Sequence, residues 1–304
     1  MPSPARDSGE RDASIHKPVL LREVIRFLDL QPGLIVVDGT VGGGGHSRHI
    51  LEHIGPEGKL IGLDRDPMML RRAEGALTSS NCSLHQTSYA DLPQLLEQLG
   101  IGTVDRILLD LGLSSDQLAD ETRGFGFKSG GLLDLRFDMH ECQPAWMLIE
   151  QLDEEQLADL LHRYGEERFS DRIARMLIER RRTHPIRTSR DLVEAVREAV
   201  PQAAQQRARR HPATRVFQAL RIAVNEELRH LETALRETLP PALTRGGRLV
   251  VISFHSLEDR LVKTEFRAEN RWQNLTPKPI TPRPVEQKVN PRSRTAKLRA
   301  AKKK

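Results

Sequence analysis

The sequence predicts an α/β fold in which a parallel sheet is interrupted by a mainly helical insertion. Short apolar runs alternate with helical segments through the first third of the chain, and one more such run follows a long helical region. Alternation of this length is typical of right-handed βαβ units, whose strands are parallel. A glycine-rich turn closes the first apolar run, at the end of a strand where parallel sheets bind ligands.

Each predicted strand is a short apolar run bounded by polar or turn-forming residues. The strands are expected at residues 34–37, 59–64, 83–88, 104–110 and 248–254. Helices are expected at 67–77, which has proline in its first turn, and at 92–99. Since the fourth strand should lie beside the first, the turns that follow these two strands should face each other.

The alternation stops after the fourth strand, and helical spacing replaces it. A single long helix is expected at 213–239, because apolar residues recur there at steps of three and four until Pro240 and Pro241. The predicted organisation is a disordered leader (1–14), a first α/β part (15–114), a mainly helical insertion for RNA recognition (115–206), a second α/β part (207–265) and a basic tail (266–304).

The positive charge is concentrated near the C-terminal end of the sequence. The net charge is +5, and residues 271–304 contain eleven Lys/Arg and one acid, so the rest of the chain is net negative. This segment is also rich in proline, which predicts that it has no core of its own. A basic tail beside a near-neutral body favours a polyanionic partner, and a solubilising tail is the alternative.

The composition argues against a membrane or secreted protein. No apolar run approaches the roughly 18 residues that span a bilayer, and the first residues lack the apolar core of a secretory signal. Cys82 and Cys142 are too few for a disulfide framework. We therefore expect a cytoplasmic protein with no membrane partner. The sequence leaves the oligomeric state open, a dimer being one option.

Residues 38–47, with the sequence DGTVGGGGHS, form the predicted ligand cradle. A nucleotide P-loop requires Gly-Lys-Ser/Thr at the end of the turn, whereas Gly45 is followed by His46. A dinucleotide fingerprint beginning at Gly42 lacks its third glycine. The third option is S-adenosylmethionine, whose sites commonly place an acidic strand-end residue, here Asp38, before alternate glycines. Glycine suits such a turn because any Cβ would obstruct the approach of the cofactor.

Two strand-end carboxylates refine this choice. Asp64 closes the second strand and could accept hydrogen bonds from both hydroxyls of a ribose, which suits NAD and S-adenosylmethionine equally. Asp110 closes the fourth strand and is followed by Ser114 and Ser115, a polar turn that could meet a nucleophile beside the transferred methyl group. Helix capping is the structural alternative for both positions.

Several motifs, in order along the chain, resemble the RsmH (MraW) family of methyltransferases. They are HKPVLL at 16–21, DGTVGGGGHS at 38–47, DRDP at 64–67, DLGLSS at 110–115, RGFGF at 123–127, LDLR at 133–136, GEER at 165–168, HPATR at 211–215, ISFHSLEDR at 252–260 and NPRSRTAKLR at 290–299. The resemblance implies a Rossmann-like, class I methyltransferase domain interrupted by a helical substrate domain. It also implies S-adenosylmethionine-dependent methylation of N4 of a cytidine in the decoding region of 16S ribosomal RNA.

The resemblance further implies a set of cofactor contacts. They are Gly44, Gly45, His46, Asp64, Tyr89, Asp110 and Gln117. For the chemistry, Asp110 and the hydroxyls of Ser114 and Ser115 are candidate acceptors for the amine hydrogens, and His255 is a candidate for binding the base or backbone. The partner would be 16S ribosomal RNA or the small ribosomal subunit. Residues 123–131, together with the helical insertion, are candidates for a lid and an RNA platform.

Three other readings of the sequence are possible. His46, His49 and His53 fall at helical spacing, but no matching carboxylate motif accompanies them, so we predict no metal site. An NAD-dependent oxidoreductase shares the cradle and the ribose carboxylate but gives no reason for the basic segment. An RNA-binding assembly factor with an inactive pocket is the non-enzymatic alternative.

Overall fold

The computed structural model describes residues 18–127, 130–208, 211–268 and 270–304. The predicted leader at 1–14 and part of the first motif lie outside this range. Seven strands form one sheet: β1 Ile35–Asp38, β2 Lys59–Asp64, β3 Cys82–Gln86, β4 Val104–Asp110, β5 Leu243–Ser253, β6 Trp272–Asn274 and β7 Lys297–Lys303. The predicted α/β alternation is thereby confirmed, with strand bounds that agree to within a few residues apart from the earlier start of β5.

The strand order is β3-β2-β1-β4-β5-β7-β6. β1 to β5 are parallel, whereas β7 is antiparallel to both β5 and β6. β1 lies between β2 and β4, so the chain reverses its direction across the sheet at this point. The predicted pairing of the first and fourth strands is confirmed, and the carboxyl ends of β1 and β4 form a topological switch point.

Helices cover both faces of the sheet and form a second body beside it. They are α1 Leu21–Leu28, α2 Gly45–Ile54, α3 Pro67–Ala76, α4 Leu92–Gln98, α5 Ser115–Ala119, α6 Ala145–Gln151, α7 Glu154–Gly165, α8 Ser170–Arg181, α9 Ser189–Ala199, α10 Gln202–Arg207, α11 Thr214–Asn225, α12 Glu227–Thr233, α13 Leu239–Ala242, α14 Ser256–Glu265 and α15 Pro284–Val289. Within the described residues, none of these helices is both long and apolar enough to cross a membrane.

The helical insertion has its own hydrophobic core. Leu161 of α7, Leu177 of α8 and Val196 of α9 are fully buried in it. Val216 and Leu220 of α11 belong to the same core. The helical body therefore extends to the end of α11, beyond the predicted boundary at residue 206.

The long helix predicted at 213–239 is broken in the structure. α11 ends at Asn225, Glu226 has a positive φ of 50°, and α12 starts at Glu227. The cause is tertiary: the buried Asn225 amide donates to the Leu135 carbonyl oxygen at 2.7 Å and accepts from the Phe137 N–H at 2.7 Å. These bonds hold the helix end against the loop that follows α5, so the chain changes direction there.

The segment 266–304 was predicted to be a basic tail without a core, and this is wrong in the structure. β7 pairs with β5 along six residues, and Leu298, Ala300 and Ala301 are fully buried in the sheet. At least five of its twelve Lys/Arg side chains have partners inside the protein; for example, Lys297 and Arg299 both contact Asp259. The segment is therefore an integral part of the α/β domain, and its charge is only partly available to a polyanion.

Candidate functional site

The principal cleft lies at the carboxyl ends of β1, β2 and β4, as the switch point predicts. The glycine loop and the strand-end residues form one wall, while α12 and the turn before β7 contribute to the other. Apolar residues and a few convergent polar groups line it together, a lining that suits a small organic cofactor and part of a substrate.

The glycine loop between β1 and α2 is held from beneath by Asp38. This buried carboxylate accepts hydrogen bonds from the Ser47 hydroxyl at 2.6 Å and the Thr40 N–H at 3.2 Å. Desolvation by burial raises the pKa of Asp38 above its ordinary value. Asp38 does not line the cleft, so its role is to fix the shape of the turn.

The predicted glycines divide into two roles. Gly45 and His46 line the cleft, whereas Gly44 does not. Gly44 has a φ of +82°, and a Cβ there would lie 3.0 Å from the Leu77 side chain. Gly44 therefore makes the turn possible, and contact between Gly44 and a cofactor stays a prediction.

Asp64 connects the end of β2 to the glycine loop. One of its oxygens accepts the Gly42 N–H at 2.9 Å, and the other accepts the Asp66 N–H at 2.9 Å. Burial raises the pKa of Asp64 from 3.8 to about 7. The carboxylate lines the cleft and, since each oxygen has two lone pairs, it can still accept the hydroxyls of a ribose.

Cofactor affinity should rise with pH between about pH 6 and about pH 8 if Asp64 binds a ribose. Only the ionised form accepts two hydroxyl hydrogens, so protonation below the raised pKa of about 7 weakens binding by up to about tenfold per pH unit. The unliganded fold should show the opposite trend. Because the pKa of Asp64 is higher in the folded state, its contribution to the free energy of unfolding is fully present below the ordinary pKa of 3.8. This contribution is lost as the pH rises through about 7.

Calorimetric titration with S-adenosylhomocysteine across this pH range measures the effect. In the Asp64→Asn variant the affinity should be lower and nearly independent of pH. If the affinity of this variant depends on pH as strongly as that of the wild type, the dependence belongs to another group of the cleft. That result would contradict the assignment of Asp64 as the ribose acceptor.

Tyr89 lies in the single turn of 3₁₀ helix, Tyr89–Asp91, that follows β3. Its ring lines the cleft, and burial raises the pKa of its hydroxyl further above the ordinary value. A Cβ on Gly39 would lie 3.0 Å from the Tyr89 Cβ and 2.5 Å from Leu109. Glycine at position 39 thus permits the tyrosine to pack closely over the end of β1.

Asp110 and His46 present buried polar atoms to the cleft. Their Oδ2 and Nε2 atoms are 3.4 Å apart, without hydrogen-bond geometry. Among the described residues, Asp110 Oδ1 and both His46 ring nitrogens are buried without a hydrogen-bond partner. Because buried polar atoms are normally paired, these atoms indicate the place of a polar ligand.

The serine turn after β4 is a helix cap as well as a wall of the cleft. Ser114 and Gln117 form a capping box, in which the Ser114 hydroxyl accepts the Gln117 N–H and the Gln117 side chain accepts the Ser114 N–H. The Ser114 hydroxyl also donates to the Met69 sulfur at 3.0 Å. Ser114 therefore caps α5, which is the structural alternative for this position. A role of Ser114 in catalysis stays a prediction.

Asp66, two residues after Asp64, joins three segments around the cleft. Its fully buried carboxylate accepts the Gln117 Nε2 at 2.7 Å and the Arg123 Nη1 at 2.6 Å. Arg123 in turn donates to the carbonyl oxygens of Arg136 and Phe137. Arg123, the first residue of the predicted lid at 123–131, thus links the loop that follows β2 to residues 136–137.

His255 lies outside the lining of the cleft. It caps α14, and its Nε2 is 3.1 Å from the Glu258 Oε1. Ligand atoms of Glu227, His255 and Glu258 come within 4.8 Å of one another, the geometry of a candidate metal group. Arg221, however, donates to both oxygens of Glu227 at 2.7 and 2.9 Å, so this carboxylate already has a cationic partner.

The three histidines at helical spacing, His46, His49 and His53, have separate surroundings in the structure. His49 contacts Glu52 on the exposed face of α2, and the His53 ring contacts the His49 carbonyl group. Only His46 of the three lines the cleft.

Sequence reasoning missed several residues of the cleft. Glu227 and His230 enter it from α12, Glu258 enters from α14, and Arg292 enters from the turn before β7. Arg292 Nη1 donates to the Ser115 hydroxyl at 2.5 Å, so Ser115 is engaged at the rim. The only sequence signal for Arg292 was its place in the NPRSRTAKLR motif, which had been assigned to the tail.

Comparison with known proteins identifies the family. The family model described as the MraW methylase family matches residues 13–304. A Thermotoga neapolitana protein named Ribosomal RNA small subunit methyltransferase H is 49% identical over 289 residues, which cover 94% of this chain and 95% of the relative. A protein of the same name from Geotalea uraniireducens is 44% identical over 308 residues, covering 95% and 98%.

Among solved structures, an rRNA methylase from Streptococcus thermophilus superposes with a TM-score of 0.44 at 10% identity, covering 92% of this chain and 94% of that one. The sequence matches extend along nearly the whole chain and confirm the resemblance seen in its motifs. The protein belongs to the MraW methylase family.

Proposed function

We propose that this protein transfers the methyl group of S-adenosylmethionine to N4 of a cytidine in the decoding region of 16S ribosomal RNA. The observation that carries the proposal is the pair formed by the glycine loop and Asp110, whose Oδ1 is buried and unpartnered in the cleft. The relatives named as small-subunit methyltransferases support the choice of ribosomal RNA. The proposed location is the cytoplasm.

The residues of the cleft fit the proposed cofactor. Gly42 and Gly43 leave open space beside the end of β1, where side chains would obstruct a ligand. Asp64 would accept the ribose hydroxyls, and the Tyr89 ring would flank the adenine. When bound, S-adenosylmethionine supplies an electrophilic methyl group next to Asp110.

Asp110 is the proposed acceptor for the hydrogens of the cytosine amine. The lone pair of this amine is delocalised into the ring, so the amine is a weak nucleophile. A carboxylate that accepts an N–H bond favours localisation of the lone pair and orients the nitrogen for in-line attack. The methylated nitrogen is acidic, and it loses its extra proton without a strong base.

The target base must leave its stack to reach the cleft. The predicted lid at 123–131, whose Arg123 is bonded to Asp66, is proposed to bind the displaced strand together with the helical body. A naked RNA and an assembled subunit differ in how easily the base can be displaced, so both are suitable test substrates.

Methyl transfer from labelled S-adenosylmethionine tests the function directly. The purified protein should label naked 16S ribosomal RNA or assembled small subunits, and digestion should place the label in N4-methylcytidine from the decoding region. Thermal shift with S-adenosylhomocysteine against NADH separates this function from an oxidoreductase. A protein stabilised by NADH alone, or one that binds RNA without labelling it, would contradict the proposal.

A further inference from the structure

Arg292 reaches the cleft from a distant part of the chain. It lies in the 3₁₀ turn Pro291–Thr295, which connects α15 to β7. The antiparallel return of β7 beside β5 places this turn next to the carboxyl end of β4, where Asp110 lies. Arg292 is half-buried there, and its contact with the Ser115 hydroxyl fixes one side of the guanidinium.

The guanidinium and Asp110 form a donor and acceptor pair on the same cleft. Asp110 offers a buried carboxylate oxygen without a partner, which is an acceptor. A guanidinium has five N–H donors in a planar fork, and the Ser115 contact uses one of them. Both residues line the same cleft, and the charge of Asp110 acts on Arg292, so the cleft presents an acceptor together with donors.

We propose that Arg292 recognises the target base by donating hydrogen bonds to N3 and O2 of cytosine while Asp110 accepts from N4. This inference rests on the proposed function, because it assumes that cytidine is the substrate. The Watson–Crick edge of cytosine presents a donor at N4 and acceptors at N3 and O2, which complements one carboxylate and one guanidinium. Uracil presents acceptors at O4 and O2 and a donor at N3. Its N3–H would therefore face the N–H donors of the guanidinium.

The charges around Arg292 favour a base over a phosphate as its ligand. The carboxylates of Asp110 and Asp116 act on Arg292 electrostatically, and burial by itself lowers the pKa of its guanidinium. A phosphate bound here would bring a third negative charge into a confined site. The neutral acceptor edge of a base carries no such penalty, and the fork of the guanidinium matches two neighbouring acceptors.

Arg292 has a recognition role and does not transfer a proton. A guanidinium stays protonated in proteins, so it cannot act as the base for N4. Its hydrogen bonds would hold the ring in the plane that directs N4 toward the methyl group. Loss of these bonds should therefore lower the rate of transfer to cytidine, and it should also remove the sensitivity of the enzyme to the acceptor at N3.

A cycle of two enzymes and two substrates tests the proposal. The enzymes are the wild type and Arg292→Gln, and the substrates are small-subunit RNAs with cytidine or 3-deazacytidine, which lacks the N3 acceptor, at the target position. Single-turnover transfer is measured at saturating S-adenosylmethionine. The wild type should lose roughly ten- to a hundredfold in rate with the deaza substrate. Arg292→Gln should transfer the methyl group slowly to cytidine, and its rate should fall by less than about a further threefold when 3-deazacytidine replaces cytidine.

The comparison cancels the intrinsic difference in amine reactivity between the two bases, because both enzymes meet the same pair of substrates. Arg294→Gln is the matched control, since Arg294 is exposed in the same turn and does not line the cleft. This control should keep the full sensitivity to N3. If Arg292→Gln does not fold, Arg292→Lys, which keeps the charge but loses the fork, should show a reduced sensitivity.

The possible outcomes separate the inference from the proposed function. An equal loss by wild type and Arg292→Gln on the deaza substrate would overturn the inference and indicate a structural or phosphate-binding role. A wild-type enzyme that does not methylate the cytidine RNA at all would overturn the proposed function instead.

Discussion

Replacing Asp110 by asparagine should lower the rate of methyl transfer by about 10²–10⁴-fold at saturating S-adenosylmethionine and RNA. The carboxylate is the unpartnered buried acceptor closest to the chemistry, and its Oδ2 lies 3.4 Å from His46 Nε2. An amide at this position presents at most one acceptor atom and adds an N–H donor that opposes the amine. The expected loss is therefore in the rate at saturation, which single-turnover measurements report.

Asp91→Asn is the control for this substitution, since Asp91 is an exposed carboxylate beside Tyr89 and does not line the cleft. It should leave the rate unchanged. Affinity for S-adenosylhomocysteine, measured in parallel, shows whether Asp110→Asn acts on binding or on chemistry. Full transfer by Asp110→Asn at saturation would rule out its chemical role and would leave it as a cofactor contact only.

Replacing Asp66 by asparagine should destabilise the fold by about 3–5 kcal/mol. Asp66 is fully buried, and the side chain of its partner Arg123 is only 7% exposed. Without the carboxylate, the guanidinium is left in a site of low dielectric where water cannot compensate for the lost charge. Urea unfolding monitored by circular dichroism measures the change in the free energy of unfolding.

An exposed ion pair provides the comparison. Arg163 and Asp159 lie one helical turn apart on α7, and both side chains are more than half exposed. Asp159→Asn should therefore cost less than about 0.5 kcal/mol. The double variant Asp66→Asn with Arg123→Met should recover part of the loss, because it removes the unpaired charge. Equal costs for Asp66→Asn and Asp159→Asn would mean that the buried pair contributes no special stability.

The strand-end carboxylates were predictable from sequence because their positions follow from local pattern. Asp64 and Asp110 each close an apolar run, and parallel strands bring their carboxyl ends to one edge. β4 has the predicted bounds, and its pairing with β1 joins the two halves of the cleft as expected. The glycine loop was equally predictable, because a glycine-rich turn between a strand and a helix is typical of a ligand-binding site.

Other parts of the cleft depend on contacts that no local pattern encodes. Glu227 reaches the cleft because α11 ends at Asn225, and that break is caused by hydrogen bonds to a loop about ninety residues earlier. Arg292 reaches it because β7 pairs with β5, although the composition of 266–304 is typical of an unfolded tail. His255 follows a strand, as expected, but its side chain caps α14 and lies outside the lining of the cleft, so its role in binding the base or backbone stays a prediction.

The position of β7 between β5 and β6 has a consequence for how the protein is made. A nascent chain that has just released β5 from the ribosome exit tunnel presents the open edge of that strand, because its neighbour β7 is synthesised later, after α14, β6 and α15. Such edges invite aggregation. The turn that carries Arg292 emerges after the other residues that line the cleft, so the cleft can be completed only once this turn has been synthesised.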